Sequence, residues 1–167
     1  NQVTGKTITA NGDAQLDTAV KKFGSASLLL DGDGDYASVS AQNDFGFGTA
    51  DFTIEGWFYP TASIGVDRLL DFRAGQINDN AVAINIDNLT PEVYVQGAYR
   101  VTGSADLSVD AWNHVAYTRS GSTGTLYLNG TDIGSWTDNT NYGTAKPLVL
   151  GALFNGAQSF FQGNVDD

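Results

Sequence analysis

Residues 51–60 read Asp-Phe-Thr-Ile-Glu-Gly-Trp-Phe-Tyr-Pro, and this stretch decides the fold class. Every second residue from Phe52 to Phe58 is apolar or glycine, and polar or amphipathic residues stand between them. This period of two is typical of a β-strand with one buried face. Pro60 ends the run, because proline has no backbone N–H to donate to a neighbouring strand. The pattern predicts a strand over 52–59 whose Phe52 and Phe58 side chains face the core.

Further strand-like runs follow the same pattern along the chain, and clusters of Gly, Asn, Asp, Ser and Thr separate them. We predict strands over 26–30, 36–40, 68–73, 81–86, 92–96, 112–119, 125–129, 148–150 and 160–165. A Gly-rich loop over 120–124 is expected between two of them, and Gly130 is expected to turn the chain again. Many short strands without a long amphipathic helix predict an all-β fold, a two-sheet antiparallel β-sandwich.

Composition limits the classes of partner. The chain has 167 residues, which predicts a single domain over 1–167, with the weakest strand pattern in 1–22. Nineteen acidic residues against eight Lys and Arg give a net charge of -11, which disfavours nucleic acid and anionic lipid surfaces. No run approaches eighteen apolar residues, so we expect no membrane insertion. Without cysteine, the fold cannot rest on disulfides.

Four motifs occur in a fixed order: Phe-Gly-Ser-Ala-Ser-Leu at 23–28, Asp-Phe-Thr-Ile-Glu-Gly-Trp at 51–57, Trp-Asn-His-Val-Ala at 112–116 and Gly-Asn-Val-Asp-Asp at 163–167. Together they resemble the laminin-G-like jelly rolls of the concanavalin A-like lectin and glucanase superfamily, over 23–167. The resemblance implies a jelly-roll sandwich, and it implies one more strand beyond Asp167. It does not choose among lectins, enzymes and adhesion modules, which all use this fold.

Residues 31–35 form the best candidate metal site. Asp31, Asp33 and Asp35 alternate with glycines, so a flexible turn carries hard oxygen ligands of the kind that Ca²⁺ prefers. The alternative is a polar hairpin turn without a metal. By the resemblance, a structural Ca²⁺ lies near the C-terminal Asp region and the first strand, which adds Asp166 and the backbone carbonyl of Gly24.

Catalytic chemistry is not expected. The glucanases of this superfamily carry two glutamates close together on one strand, because glycoside hydrolysis needs a paired acid and nucleophile. Glu55 and Glu92 are the two glutamates of this chain, and they stand far apart in the sequence. His114 is the sole histidine, and we interpret it as structural.

Aromatic side chains are the candidate ligand-binding groups, because sugar rings stack on tyrosine and tryptophan. We expect Trp57 and Trp112 to be structural, since they lie within strand motifs. Tyr94, Tyr99 and Trp136 are expected to be exposed and to contact a ligand. The polar residues that could orient its hydroxyl groups are Arg73, Asn85, Gln96 and Arg100.

The sequence thus leads to three hypotheses about function. The first is a non-catalytic carbohydrate-binding or adhesion module of a larger secreted, cell-surface or virion protein, which binds a glycan or surface polysaccharide and holds a structural Ca²⁺. The second is a structural display or decoration module that contacts other domains of the same protein or a particle surface. The third is a glycosidase or polysaccharide lyase.

Overall fold

Regular structure in this chain is almost entirely β-strand. A computed structural model describes residues 6–62, 65–75 and 79–167. The strands of these ranges are β1 Thr9–Asn11, β2 Gln15–Asp17, β3 Ser27–Asp31, β4 Tyr36–Gln42, β5 Phe52–Pro60, β6 Val66–Asp71, β7 Val82–Asp87, β8 Thr90–Val95, β9 Ala98–Thr102, β10 Asn113–Ser120, β11 Thr123–Leu128, β12 Thr131–Thr137, β13 Lys146–Leu150 and β14 Gln162–Asp166. A short 3₁₀ turn covers Asn43–Phe45. No helix within the described ranges is long and apolar enough to cross a membrane.

The strands form two seven-stranded antiparallel sheets. The first, here called the front sheet, has the order β1-β4-β13-β6-β7-β8-β9. The second, the back sheet, has the order β12-β11-β10-β5-β14-β3-β2. The edge strands β9 and β12 lie beside each other, so they close one side of the sandwich. The predicted two-sheet β-sandwich is therefore confirmed.

The core lies between the sheets and follows the predicted alternation. On β5, Ile54 and Phe58 are buried, whereas Thr53 and Glu55 are exposed on the outer face. Strand β7 is different, because residues 82–86 are all buried. Val82, Ile84 and Ile86 of β7 face the core. Ala83 and Asn85 face outward, and they are buried because the outer face of the sheet is covered at this point. That covered face matters for the site described below.

Two features differ from the sequence-based prediction. The loop predicted over 120–124 is a tight turn at Gly121 and Ser122, because Ser120 pairs with Thr123 and the two strands continue to the turn. Strands β1, β2, β9 and β12 were not predicted. They are the edge strands of the two sheets, and their short or mixed-polarity sequences carry little alternation.

Candidate functional site

The outer face of the front sheet holds a connected row of buried polar side chains. Arg68 of β6 donates a hydrogen bond from Nη1 to Oδ1 of Asn85 on β7. The amide of Asn85 donates to Glu92 of β8 at 3.0 Å, and the hydroxyl of Thr102 on β9 donates to the other Glu92 oxygen at 3.0 Å. Arg68, Asn85 and Glu92 are each at most 7% exposed. Neighbouring strands thus place these polar side chains side by side and shield them from solvent.

A second pair of charges lies in the same row. The guanidinium of Arg73 binds the carboxylate of Asp71, with Nε 2.9 Å from Oδ1, and both side chains are buried. Phe154 packs its ring 5.1 Å from that guanidinium, and its backbone N–H donates to Asp71. Phe154 therefore covers this part of the outer face, and Arg73 is held between it and Asp71.

Tyr94 and Tyr99 stand next to this row. Their rings meet edge to face, with centroids 5.2 Å apart, because the two residues are direct partners on β8 and β9. The guanidiniums of Arg73 and Arg68 lie 4.9 Å and 5.6 Å from the Tyr94 ring. The expectation that Tyr94 is exposed is wrong, because these neighbours leave it only 9% exposed. Tyr99 is 48% exposed and presents its ring to solvent.

Arg100 and Trp136 do not share this surface with Tyr99. Strand β9 has a β-bulge at Arg100, since Tyr94 pairs with Tyr99 while Val93 pairs with Val101. The guanidinium of Arg100 instead lies 5.2 Å from the ring of Trp136, across the closed side of the sandwich.

Trp136 is half-buried against the core rather than freely exposed. Its indole N–H donates to the hydroxyl of Tyr117, 2.8 Å away, and that hydroxyl donates to the buried Asp138. The structure therefore divides the four predicted ligand-binding residues into two pairs. Tyr94 and Tyr99 lie on the outer face, and Arg100 and Trp136 join the two edge strands.

Burial shifts two ionisation equilibria in the polar row. Burial raises the pKa of Glu92, the carboxylate of Asp87 adds to the rise, and the hydrogen bonds from Thr102 and Asn85 oppose it. Burial also lowers the pKa of Arg68, and the like charge of Arg73 lowers it further. Both shifts mean that burial disfavours the charged form of each side chain, the carboxylate of Glu92 and the guanidinium of Arg68.

A polar cleft of about 520 Å³ opens at one end of the sandwich. It is lined by Asp79, Asn80, Asn141, Tyr142, Gly143 and Lys146. Asp79 is ion-paired with Lys146 and accepts a hydrogen bond from the backbone of Ala74. The side chain of Gln96, at the turn between β8 and β9, donates to Asn80 at 2.7 Å. The cleft therefore adjoins the end of the front sheet that carries the tyrosines.

The candidate metal residues are only partly brought together. Carboxylate oxygens of Asp13, Asp31 and Asp35 lie within 4.8 Å of one another. Asp35 is 2% exposed, and it accepts hydrogen bonds from the backbone N–H groups of Asp13 and Asp31. Asp33 joins no such group in the described part of the chain, although its backbone N–H binds Asp31 at 2.7 Å.

Asp166 also lies outside that group. Its carboxylate accepts hydrogen bonds from the backbone N–H groups of Lys22 and Phe23, at 2.8 and 2.9 Å. Gly24 follows directly and adopts a φ of 58°, which favours glycine. Direct hydrogen bonds therefore join the Asp166 carboxylate to the backbone just before Gly24, and the metal role of Asp166 and Gly24 stays a prediction.

The outer face of the back sheet carries a separate aromatic group. Lys22 lies 3.9 Å above the Trp57 ring, and Phe23 meets Trp57 edge to face at 5.9 Å. His114 packs 5.0 Å from Trp57 and lies 3.3 Å from Glu55. Trp57 therefore packs on the outer face of the back sheet and not in the core, and its structural role stays a prediction.

Two residues of these sites escaped the sequence analysis. Arg68 was predicted within a strand but not as a site residue. The available signal was an arginine among the apolar residues of β6, with a second arginine five positions later. Asp13 lay in the segment without a clear pattern, and no signal marked its approach to 31–35.

Residues 31–167 match the sequence profile described as Concanavalin A-like lectin/glucanases superfamily. The chain belongs to this superfamily. Sequence comparison with curated proteins finds no match.

Solved structures share the fold at low sequence identity. Domain 4 of AbnA, a GH43 extracellular arabinanase from Geobacillus stearothermophilus, in complex with arabinotriose, has a TM-score of 0.67 at 17% identity, over 96% of this chain and 79% of that one. The CBM40 of the Ruminococcus gnavus IT-sialidase, bound to α2,3 sialyllactose, has a TM-score of 0.58 at 15% identity, over 69% of this chain and 71% of that one. The botulinum neurotoxin serotype D binding domain has a TM-score of 0.66 at 17% identity, over 96% of this chain but only 42% of its own length.

Proposed function

We propose that this chain is a non-catalytic carbohydrate-binding module of a larger extracellular protein, and that its glycan lies over Tyr99 and Tyr94 on the front sheet. One observation carries the proposal. An exposed tyrosine ring is held edge to face on a second tyrosine, which two buried arginines fix in turn. A rigid aromatic surface of this kind binds a sugar ring with little loss of conformational entropy. The secreted, cell-surface or virion setting is part of the same proposal.

Two neighbours in fold support this reading. The arabinanase domain holds arabinotriose, and the sialidase CBM40 holds sialyllactose. Both are jelly-roll modules of larger carbohydrate-active proteins.

The positions of the glutamates argue against the paired-glutamate hydrolysis of this superfamily's glucanases. Glu55 is exposed on the outer face of the back sheet, and Glu92 is buried on the outer face of the front sheet. The whole sandwich separates them, so they cannot flank one glycosidic bond.

A glycan array tests the proposal with a matched pair of variants. Tyr99→Ala removes an aromatic ring that is 48% exposed on the front sheet, and Phe23→Ala removes one that is 49% exposed on the back sheet. We expect the wild type to bind a defined set of glycans and Tyr99→Ala to lose at least tenfold in affinity, roughly 1.4 kcal/mol. Phe23→Ala should bind as the wild type does. Binding that survives Tyr99→Ala, or no binding by the wild type, would contradict the proposal.

The second candidate function is a display module that contacts protein through the back sheet. The exposed Phe23, packed on Trp57 beside Lys22, favours it. If this function is correct, the wild type binds no glycan on the array, and Phe23→Ala loses binding to the protein partner.

We also propose that Asp13, Asp31 and Asp35 hold a structural Ca²⁺. Their oxygens lie close enough to share one ion, and Ca²⁺ accepts six to eight oxygen ligands in an adaptable geometry, which further carbonyls and waters would complete. Such an ion would link the N-terminal segment to the turn that follows β3.

Thermal unfolding in CaCl₂ and in excess chelator tests this metal site. A ligand at about 100 times its Kd stabilises the fold by roughly 2.7 kcal/mol, which corresponds to a rise in Tm of about 5–10 °C. Asp13→Asn should abolish the rise, whereas Asp33→Asn should keep it. Identical melting curves in Ca²⁺ and chelator would remove the site.

A further inference from the structure

Arg68 is a buried cation that no carboxylate contacts directly among the described residues. It is 6% exposed, and Nε is the buried side-chain polar atom that lacks a hydrogen-bond partner among the described residues. Its Nη1 binds the neutral amide of Asn85. Within the described ranges, no carboxylate oxygen lies within 4.0 Å of its guanidinium. A buried charge in this condition is less favourable than one that is paired with a carboxylate.

The neighbouring Arg73 shows what Arg68 lacks. Both oxygens of Asp71 bind the Arg73 guanidinium, so that cation is neutralised in place. Arg73 therefore needs no further partner, and both oxygens of Asp71 are already engaged with it. Burial lowers the pKa of Arg68 and the charge of Arg73 lowers it further, although the charge of Asp71 acts in the opposite direction. Perturbed buried groups of this kind cluster at functional sites.

The place of Arg68 links it to the proposed glycan site. Its guanidinium lies 5.6 Å from the Tyr94 ring, and Tyr94 supports the exposed Tyr99. A group on a sugar that rests on Tyr99 can therefore approach Arg68. The planar guanidinium carries N–H donors arranged to bind both oxygens of a carboxylate, whereas a neutral hydroxyl supplies no charge.

We propose that the glycan of this module carries a carboxylate, as in a uronic or sialic acid, and that this carboxylate pairs with Arg68. The proposal rests on the proposed function and specifies its ligand. Since Arg68 keeps little exposed surface, the carboxylate reaches it when side chains at the rim of the site rearrange, and exposed surface side chains change rotamer within ps–ns. The net charge of -11 does not prevent binding, because the Debye length is about 8 Å at physiological salt.

Paired probes test the ligand class. The first pair is 3′-sialyllactose and lactose, and the second is trigalacturonate and its carboxyl-reduced trisaccharide. We expect the wild type to bind the acidic member of at least one pair tenfold or more tightly than its neutral partner. Arg68→Gln keeps a donor for Asn85 but removes the charge, so it should reduce that preference to within twofold. Lys22→Gln removes one positive charge from the back sheet and should keep the preference.

The outcomes separate this inference from the proposed function. If the wild type binds acidic and neutral sugars equally and Tyr99→Ala still lowers the affinity, the proposed carboxylate is overturned. The proposed function as a glycan-binding module then stands. Binding of no glycan overturns both. Arg68→Gln should melt at or above the wild-type Tm, since it removes a buried charge that no carboxylate contacts directly. Arg68→Lys keeps the charge but lacks the planar guanidinium, so it should bind acidic sugars with intermediate affinity. If both Arg68 variants keep the full wild-type preference for acidic sugars, the role of Arg68 is overturned.

Discussion

Glu92 shows how one residue of the polar row responds to its surroundings. Its carboxylate is buried and hydrogen-bonded to Asn85 and Thr102. Burial raises its pKa nevertheless, because desolvation outweighs the hydrogen bonds. The folded chain therefore holds the Glu92 proton more tightly than the unfolded chain does. The stability that this proton contributes is fully present below the unfolded pKa and is lost as the pH rises through the folded value.

Glu92→Gln tests this linkage, because glutamine does not ionise and can still hydrogen-bond Asn85 or Thr102. The free energy of unfolding of the wild type, minus that of Glu92→Gln, should fall as the pH rises from about 4, the ordinary glutamate value, towards neutrality. Urea unfolding at several pH values measures it. A difference that grows with pH would show that the carboxylate is stabilised in its charged form.

Single residues mark the limit of what the sequence could predict about the site. Tyr99 was predicted to be exposed, and its 48% exposure confirms this. The burial of Tyr94 was missed, because it depends on Arg68 of β6 and on Arg73 just after that strand, which are distant from Tyr94 in sequence. The approach of Asp13 to Asp35 likewise depends on long-range packing, which periodicity does not encode.

At the scale of elements, the hairpin of β11 and β12 depends on close packing at Gly124. A Cβ atom at this position would stand 2.1 Å from the hydroxyl of Tyr117 and 2.8 Å from the indole nitrogen of Trp136. Tyr117 cannot yield, because it is fully buried and its hydroxyl is bound to Asp138. The glycine that was predicted to belong to a Gly-rich loop therefore lies within a paired strand and makes room for a buried hydrogen bond.

Gly124→Ala should accordingly lower the free energy of unfolding by about 2 kcal/mol through overpacking. Gly130→Ala is the matched control, since Gly130 turns the same hairpin with a φ of 79° and has nothing within 4 Å of an added Cβ. That variant should cost only about 1 kcal/mol, from its left-handed backbone. Urea unfolding compares the two. A larger loss for Gly130→Ala would contradict the packing at Gly124.

The bulge at Arg100 explains why the predicted ligand residues separate. An uninterrupted strand would fix the faces of Tyr99, Arg100 and Val101 by strict alternation. The extra residue allows Tyr99 to face outward and Val101 to face the core, while Arg100 contacts Trp136. Bulges have weak sequence signatures, so this division could not be read from the alternation.

At the scale of the whole molecule, the two outer faces differ in chemistry. The front sheet carries buried charges under an exposed tyrosine, and the back sheet carries an aromatic group around Trp57. Two packed sheets and most central strands followed from local alternation. The order of strands within each sheet did not, because β13 enters between β4 and β6, and β14 between β3 and β5. Such pairings join distant segments, and they decide which side chains share a face.

The central claim is that the glycan lies on the front sheet. Amide chemical shifts of the ¹⁵N-labelled chain, titrated with the glycan that binds best on the array, test it most directly. Shift changes should concentrate on β8 and β9 around Tyr94 and Tyr99, and extend to Arg68 and Arg73. Changes confined to Trp57 and its neighbours on the back sheet would contradict the claim.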